Sequence, residues 1–380
     1  MTQEPKPNNV PPKEVVIKTL SKDSNAYSLS FLKEVGITPA DLCGIIHDKK
    51  GNVRNDIFDC WNDICSSPID YSAPNEIPYG TIEVYVWGMS GSGKTSILAA
   101  LSNLARLNGI SIHGCQLSLD KKQRNHWDYA NYLNGFVAPK RYDNRVALFP
   151  PPTMDGAIGY IPLRVHSDAK KDKVDVGVSI IEVPKEIFKY CSNMKDYEGC
   201  SERSHSMYKR LQHYLHDSMN PKYHFFVIDG DMIADNSSEY DSSLENIAFL
   251  FNDGILLNKN NCKDIAIIVS KSDLWFPEDE LLSRTLLPLP VERKSEITKR
   301  IVIDKYDFFI QRIDDFRENV LGIKKDPITI IPSSVGESFL KEICAVNLET
   351  IGIIVELLIQ YASRLKRVNI IQRLLLLLWR

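Results

Sequence analysis

The sequence predicts an α/β fold of three layers, with helices on both faces of a mainly parallel sheet that carries one antiparallel hairpin strand. Three observations predict it. Strand-like and helix-like stretches alternate from Gly80 onward. A glycine-rich turn joins the first strand directly to a strong helix former. One connection, His166-Ser167-Asp168-Ala169-Lys170-Lys171-Asp172-Lys173, is too short for a helical crossover, so the strands around it are expected to be antiparallel neighbours.

Taken in order, residues 1–12 are polar and proline-rich, and are expected to be disordered. Residues 13–78 read as a small helical appendage. Ser30 to Val35, Pro39 to His47 and Asn55 to Cys65 carry apolar residues at helical spacing, and Ser66 to Asn75 reads as a linker. The α/β unit is expected over 79–345. Its strands are Thr81 to Trp87, Ile158 to Val165, Val174 to Ile181, Tyr223 to Ile228, Ile265 to Val269 and Ile328 to Ile331. Helices are expected over Ser204 to Met219, Ser243 to Leu257, Lys294 to Val320 and Glu337 to about Lys366. Residues 346–380 form a helical C-terminal tail.

Composition narrows the function classes. The chain has 380 residues, 43% hydrophobic and 25% charged, which suits a globular protein. Forty-six Lys and Arg against 49 Asp and Glu give a net charge of −3, without the basic excess of a nucleic-acid binder. Eight cysteines with no Cys-x-x-Cys pair do not describe a disulfide or zinc framework. The start lacks an apolar signal core, and no uncharged apolar run reaches the roughly 18 residues of a spanning helix. A cytoplasmic protein is expected.

The chemistry sits in Gly88-Met89-Ser90-Gly91-Ser92-Gly93-Lys94-Thr95-Ser96. This is the Gly-x-x-x-x-Gly-Lys-Thr spacing of a Walker A loop, between a predicted strand and a predicted helix. The glycines allow successive backbone N–H groups to form an anion nest at the positive end of the helix. Lys94 is placed to reach the β- and γ-phosphates of a nucleotide, and the Thr95 hydroxyl to ligate Mg²⁺.

With the two short-linked strands and the strand-end acids Glu182, Asp229 and Asp273, this loop resembles the translation-factor and Ras-like class of P-loop GTPases over about residues 81–345. Within the class the pattern is most similar to bacterial modules of the double-GTPase kind. The resemblance implies GTP or GDP and Mg²⁺ as ligands. It implies base recognition by Ser270-Lys271-Ser272-Asp273, where the class carries Asn or Thr in place of Ser270. There Asp273 would accept from guanine N1–H and the 2-amino group, and Lys271 would cover the base. Ser333 and Ser334 resemble the loop whose backbone contacts guanine.

The switch elements depart from the class. Glu182 stands where an Asp holds the Mg²⁺ shell, Lys185 where a glycine senses the γ-phosphate, and Glu186 near the place of a water-orienting Gln. Thr153 matches the magnesium-binding threonine of the first switch, although it also fits a capped proline-rich turn. Arg141 and Arg145 stand where a cis arginine finger would. Asp229 fits a Walker-B acid by pattern, and it competes with Glu182 for the metal role. The resemblance therefore implies a GTP-binding switch with slow hydrolysis. A non-hydrolysing GTP-bound scaffold, and a P-loop ATPase using Asp229, stand beside it.

Two further signals are weaker. His213 and His216 lie three apart on a predicted helix, but the apolar line Tyr208, Leu211, Tyr214 and Leu215 favours an ordinary amphipathic helix over a zinc site. The basic, leucine-rich end from Arg364 to Arg380 reads first as self-packing. It and the N-terminal appendage are the candidate surfaces for a protein partner, with peripheral membrane contact less favoured.

Overall fold

The computed structural model describes residues 11–35, 37, 42, 45, 54, 56–57, 73–89, 91–107, 111–137, 158–167, 174–184, 202–234, 261–272, 291–323, 327–333 and 351–365. Its centre is a single eight-stranded sheet. In chain order the strands are β1 (Ile82–Trp87), β2 (Ser111–Ile112), β3 (Cys115–Leu119), β4 (Gly159–Ser167), β5 (Asp175–Glu182), β6 (Lys222–Asp229), β7 (Cys262–Ser270) and β8 (Thr329–Pro332). Across the sheet they run β2-β3-β4-β5-β1-β6-β7-β8. Strands β5, β1, β6, β7 and β8 are parallel neighbours. β4 is antiparallel to β5, with Leu163 opposite Val178, so the short connection at 168–173 does close a hairpin.

The sheet is longer than the sequence pattern indicates. β2 and β3 extend the antiparallel edge beyond β4. These strands are short, and β3 buries only alternate residues, so its apolar signal is thin.

The layers follow from the period-2 geometry of the strands. In β1 every residue is buried, but Ile82, Val84 and Val86 join one apolar cluster while Tyr85 and Trp87 join another. A strand covered on both faces has no polar side, and that explains its near-continuous apolar run. The first face is covered by α3 (Lys94–Leu107), α4 (Asp128–Val137) and a helix over residues 351–365. Val16 and Leu20 of α1 (Lys13–Leu20), with Phe31 and Leu32 of α2 (Leu29–Glu34), belong to the same apolar cluster. Tyr361 of the 351–365 helix stacks on Tyr223 of β6, ring centres 3.6 Å apart.

The second face is covered by α5 (Glu202–His216) and α7 (Val291–Asn319), with the short α6 (Gly230–Ala234) following β6. On α5, Met207, Tyr208, Leu211, Tyr214 and Leu215 are buried, as the amphipathic spacing requires. His213 lies outside that stripe and pairs with Asp217 at 2.5 Å. Among the described residues no helix is long and apolar enough to cross a membrane. The helix expected at 243–257, and residues 337–350 and 366–380, lie outside the described residues.

At the N-terminal end of the parallel strands is a buried polar cluster. Glu83 of β1 and Lys222 of β6 are register partners, are almost fully buried, and form an ion pair at 3.3 Å. Glu83 also accepts from the Tyr85 hydroxyl at 2.7 Å, from Asn220 Nδ2 at 2.9 Å and from the Ser218 hydroxyl. Burial holds the Lys222 ammonium below its ordinary pKa, against the opposing pull of Glu83. Asn220 reaches on to Pro78 O and Gly80 N, and Tyr214 to Pro74 O, so this cluster also ties down the segment leading into β1.

Candidate nucleotide site

The site is assembled at the C-terminal ends of β1, β5, β6 and β7, where the turn into α3 begins. Gly88 has φ +154°, and a Cβ there would lie 2.6 Å from Val227 O and 2.8 Å from Ser92 Oγ. Gly93 has φ +83°, with Ser270 Oγ 3.2 Å from where a Cβ would stand. Glycine is therefore required at both ends of the turn, by backbone conformation and by close approach of the chain. The Ser92 N–H leans on Met89 O at 3.3 Å. α3 starts at Lys94, so the N–H groups of its first turn have no carbonyl four residues back within the helix.

Lys94 lies across the turn. Its ammonium donates to Gly88 O at 2.7 Å and Met89 O at 2.9 Å, and the residue is buried. This fixes a cation over the loop, beside the positive end of α3.

The two acids left in competition by the sequence have different surroundings. Glu182, the last residue of β5, is fully buried and accepts from the Thr95 hydroxyl at 2.7 Å. Its second carboxylate oxygen accepts from the Tyr129 hydroxyl of α4. Asp229, the last residue of β6, accepts from the Lys271 ammonium at 2.8 Å and from the Asp231 N–H at 3.0 Å. Thr95 and Glu182 thus form one pair and Asp229 and Lys271 another.

Thr95 and Glu182 are hard oxygen donors, which suits a cation of the magnesium type. The Thr95 proton is committed to Glu182, and the hydroxyl oxygen retains lone-pair capacity. No group of three or more His, Cys, Asp or Glu that could hold a metal occurs among the described residues. A cation here would therefore depend on the hydroxyl, the single acid and the ligand's own oxygens.

On the far side of the loop, Lys271 has φ +50°, a left-handed conformation uncommon outside glycine, which turns the chain sharply after β7. Ser270 is buried and donates to Ile228 O at 3.2 Å. The Ser333 N–H bonds Val269 O at 2.7 Å, and the Ser272 N–H bonds Ser333 O at 3.2 Å, so the turns after β7 and β8 are laced together. The hydroxyls of Ser92 and Ser333 are buried and find no hydrogen-bond partner among the described residues. An orphaned buried hydroxyl costs about 1–3 kcal/mol.

Gly88, Gly91, Ser92, Gly93, Lys94, Thr95, Ser96, Glu182, Asp229, Lys271 and Ser333 are all described residues of this region. Ser90, Arg141, Arg145, Thr153, Lys185, Glu186, Asp273 and Ser334 lie outside the described residues. Sequence reasoning missed Tyr129 at the site and the buried His224 in the adjoining sheet. His224 of β6, the register partner of Tyr85, accepts at Nδ1 from the Trp87 indole N–H at 3.0 Å. Burial drives its pKa down to about 3, with Lys222 adding to the effect, so the ring is neutral. No local motif announces either residue.

No protein-family model matches the chain, and no curated protein matches it significantly. Solved structures similar to it include a candidate nucleolar GTP-binding protein 1 of Plasmodium falciparum. It is 13% identical, over 80% of this chain and 98% of that one, with a TM-score of 0.30. The Ski7 GTPase-like domain of S. cerevisiae is similar in two structures. One, bound to GTP, is 18% identical over 75% of this chain and 50% of that one, with a TM-score of 0.31. The other, bound to GDP and inorganic phosphate, is 15% identical over 74% and 50%, with a TM-score of 0.31. By its own sheet order, with β4 antiparallel beside β5 and a glycine-rich turn from β1 into α3, the chain has a three-layer α/β fold with the strand–glycine turn–helix connection of a P-loop.

Proposed function

We propose that this protein is a guanine-nucleotide-binding switch with weak, Mg²⁺-dependent GTP hydrolysis. The observation that carries the reading is the convergence of Lys94, folded over the glycine-rich turn, with the hydrogen-bonded pair Thr95 and Glu182 at its edge. The turn and Lys94 bind the β- and γ-phosphates through N–H groups and a fixed positive charge. Thr95 and Glu182 are the residues that would hold Mg²⁺, which would supply neutralisation of charge on the phosphate oxygens. Asp229, tied to Lys271, belongs to the base side of the site, and this pairing favours Glu182 for the metal role.

On the base side, Lys271 covers the ring while Asp273 accepts from guanine N1–H and the 2-amino group. Adenine offers neither donor, and a buried carboxylate left unpaired discriminates by about 10⁴-fold or more. Ser333 and Ser334 complete that side. Thr153 and the segment after Pro184 act as the ligand-responsive switches, and Glu186 or an arginine at 141 or 145 assists turnover. The C-terminal helix or the N-terminal helices present the surface for a protein partner.

A second reading is a non-hydrolysing GTP-bound scaffold. It is favoured by Glu182 being fastened at both carboxylate oxygens, and by Lys185 standing where a glycine would approach the γ-phosphate. Calorimetric titration with GTP, GDP and ATP, with and without Mg²⁺, tests the nucleotide assignment. Tighter binding of ATP than GTP overturns it. Phosphate release from GTP, compared with Lys94→Ala, then separates switch from scaffold.

A further inference from the structure

Glu182 is one methylene longer than an aspartate in the same place, and its carboxylate is entirely buried. The extra torsion lets the carboxylate swing, and a buried charge needs donors on both oxygens. Thr95 supplies one. The other is the hydroxyl of Tyr129, from α4, 53 residues away in the chain. Tyr129 is itself buried and stacks on Tyr132, ring centres 6.4 Å apart. Gly159 of β4 faces Glu182 across the β4–β5 register. A Cβ at Gly159 would collide with the Tyr129 ring and stand 3.0 Å from Glu182 Cβ. A glycine in the middle of this contact keeps room for the tyrosine against the acid.

We infer that Tyr129 is a positioning residue for the divalent-cation side of the nucleotide site. Its hydroxyl pins one oxygen of Glu182, which keeps the other on the Thr95 proton and leaves a lone pair of Thr95 Oγ1 for the cation. The inference rests on the reading of Thr95 and Glu182 given above. Tyr129 acts through Glu182. Partners of this kind commonly alter metal affinity by about 10- to 100-fold.

The test uses the full chain and N-methylanthraniloyl-GDP, with Mg²⁺ titrated from excess EDTA to millimolar levels. The readouts are the Mg²⁺ concentration giving half-maximal slowing of nucleotide release, and the affinity in EDTA. For Tyr129→Phe the half-maximal Mg²⁺ concentration is expected to rise about 10-fold, with EDTA affinity kept within about twofold. Gly159→Ala, which crowds both the ring and Glu182 without removing the hydroxyl, is expected to repeat this shift, and it carries the test of the Tyr129–Glu182 contact should Tyr129→Phe fail to fold. An unchanged Mg²⁺ midpoint, or equal weakening in EDTA and Mg²⁺, overturns the inference. If Glu182→Gln shifts the midpoint and Tyr129→Phe does not, only the tyrosine's role falls. If nucleotide release by the parent protein ignores Mg²⁺ altogether, the cation reading falls as well.

Discussion

The Lys271 ammonium lies 2.8 Å from Oδ2 of Asp229, joining the residue after β7 to the residue that ends β6. Asp229 is almost wholly buried, whereas the Lys271 side chain is about two-fifths exposed. The buried acid, with Asp231 at 4.0 Å, thus steers a partly exposed lysine from a backbone already held at positive φ.

This pairing separates the roles of the two strand-end acids. Asp229→Asn is expected to weaken GTP binding about 10-fold, to the same degree in Mg²⁺ and in EDTA, through a loosened Lys271. Glu182→Gln is expected to weaken it only where Mg²⁺ is present. Calorimetric titration of both variants under both conditions checks the assignment, and reversed metal sensitivities would return Asp229 to the metal.

Lys94→Ala removes the charge over the glycine-rich turn. GTP affinity is expected to fall about 10-fold or more, and phosphate release to drop to background. Retention of parent-level affinity would mean that the turn does not hold phosphate.

The neutral His224, buried in β6, predicts a pH signature. Its folded pKa of about 3 lies below the ordinary 6.5, so the unfolded chain binds the proton first as pH falls. The stabilisation is complete above about pH 6.5 and is lost progressively toward pH 3. Between pH 7 and pH 5 this one residue should remove roughly 2 kcal/mol. Urea unfolding of the parent and of His224→Asn at both pH values isolates it. The variant is expected to be less stable at pH 7 but to lose less on acidification.

The Glu83–Lys222 pair predicts strong coupling. Lys222→Met or Glu83→Gln alone strands a buried group and is expected to cost about 3–5 kcal/mol. The double variant is expected to recover part of that loss, because no unpaired charge remains. Additive losses in urea unfolding would show that the two residues are stabilised independently.

Much of the fold was legible because its signals are local. β1, β5, β6 and β7 are apolar runs ended by glycine, acid or serine, and the short 166–173 connection left β4 no partner arrangement except antiparallel. The β2–β3 hairpin was not legible, since strands of two and five residues at a sheet edge carry too few apolar positions to stand out. Glu83 was not singled out in the sequence, and its partner Lys222 follows only from which strand lies beside β1. Glu182 could be picked out as a strand-end acid, yet nothing near it in the chain points to Tyr129.

The amino-acid order alone determined the glycine-rich turn, the lysine and threonine that follow it, and the alternation of strand and helix. Those depend on backbone conformation and side-chain period within a few residues. Only the tertiary structure decided that Glu182 meets Thr95 and Tyr129, and that Asp229 meets Lys271. Such pairs form between groups 42 to 87 positions apart, and the order of the parallel strands together with the packing of α4 on the sheet brings them within hydrogen-bond reach.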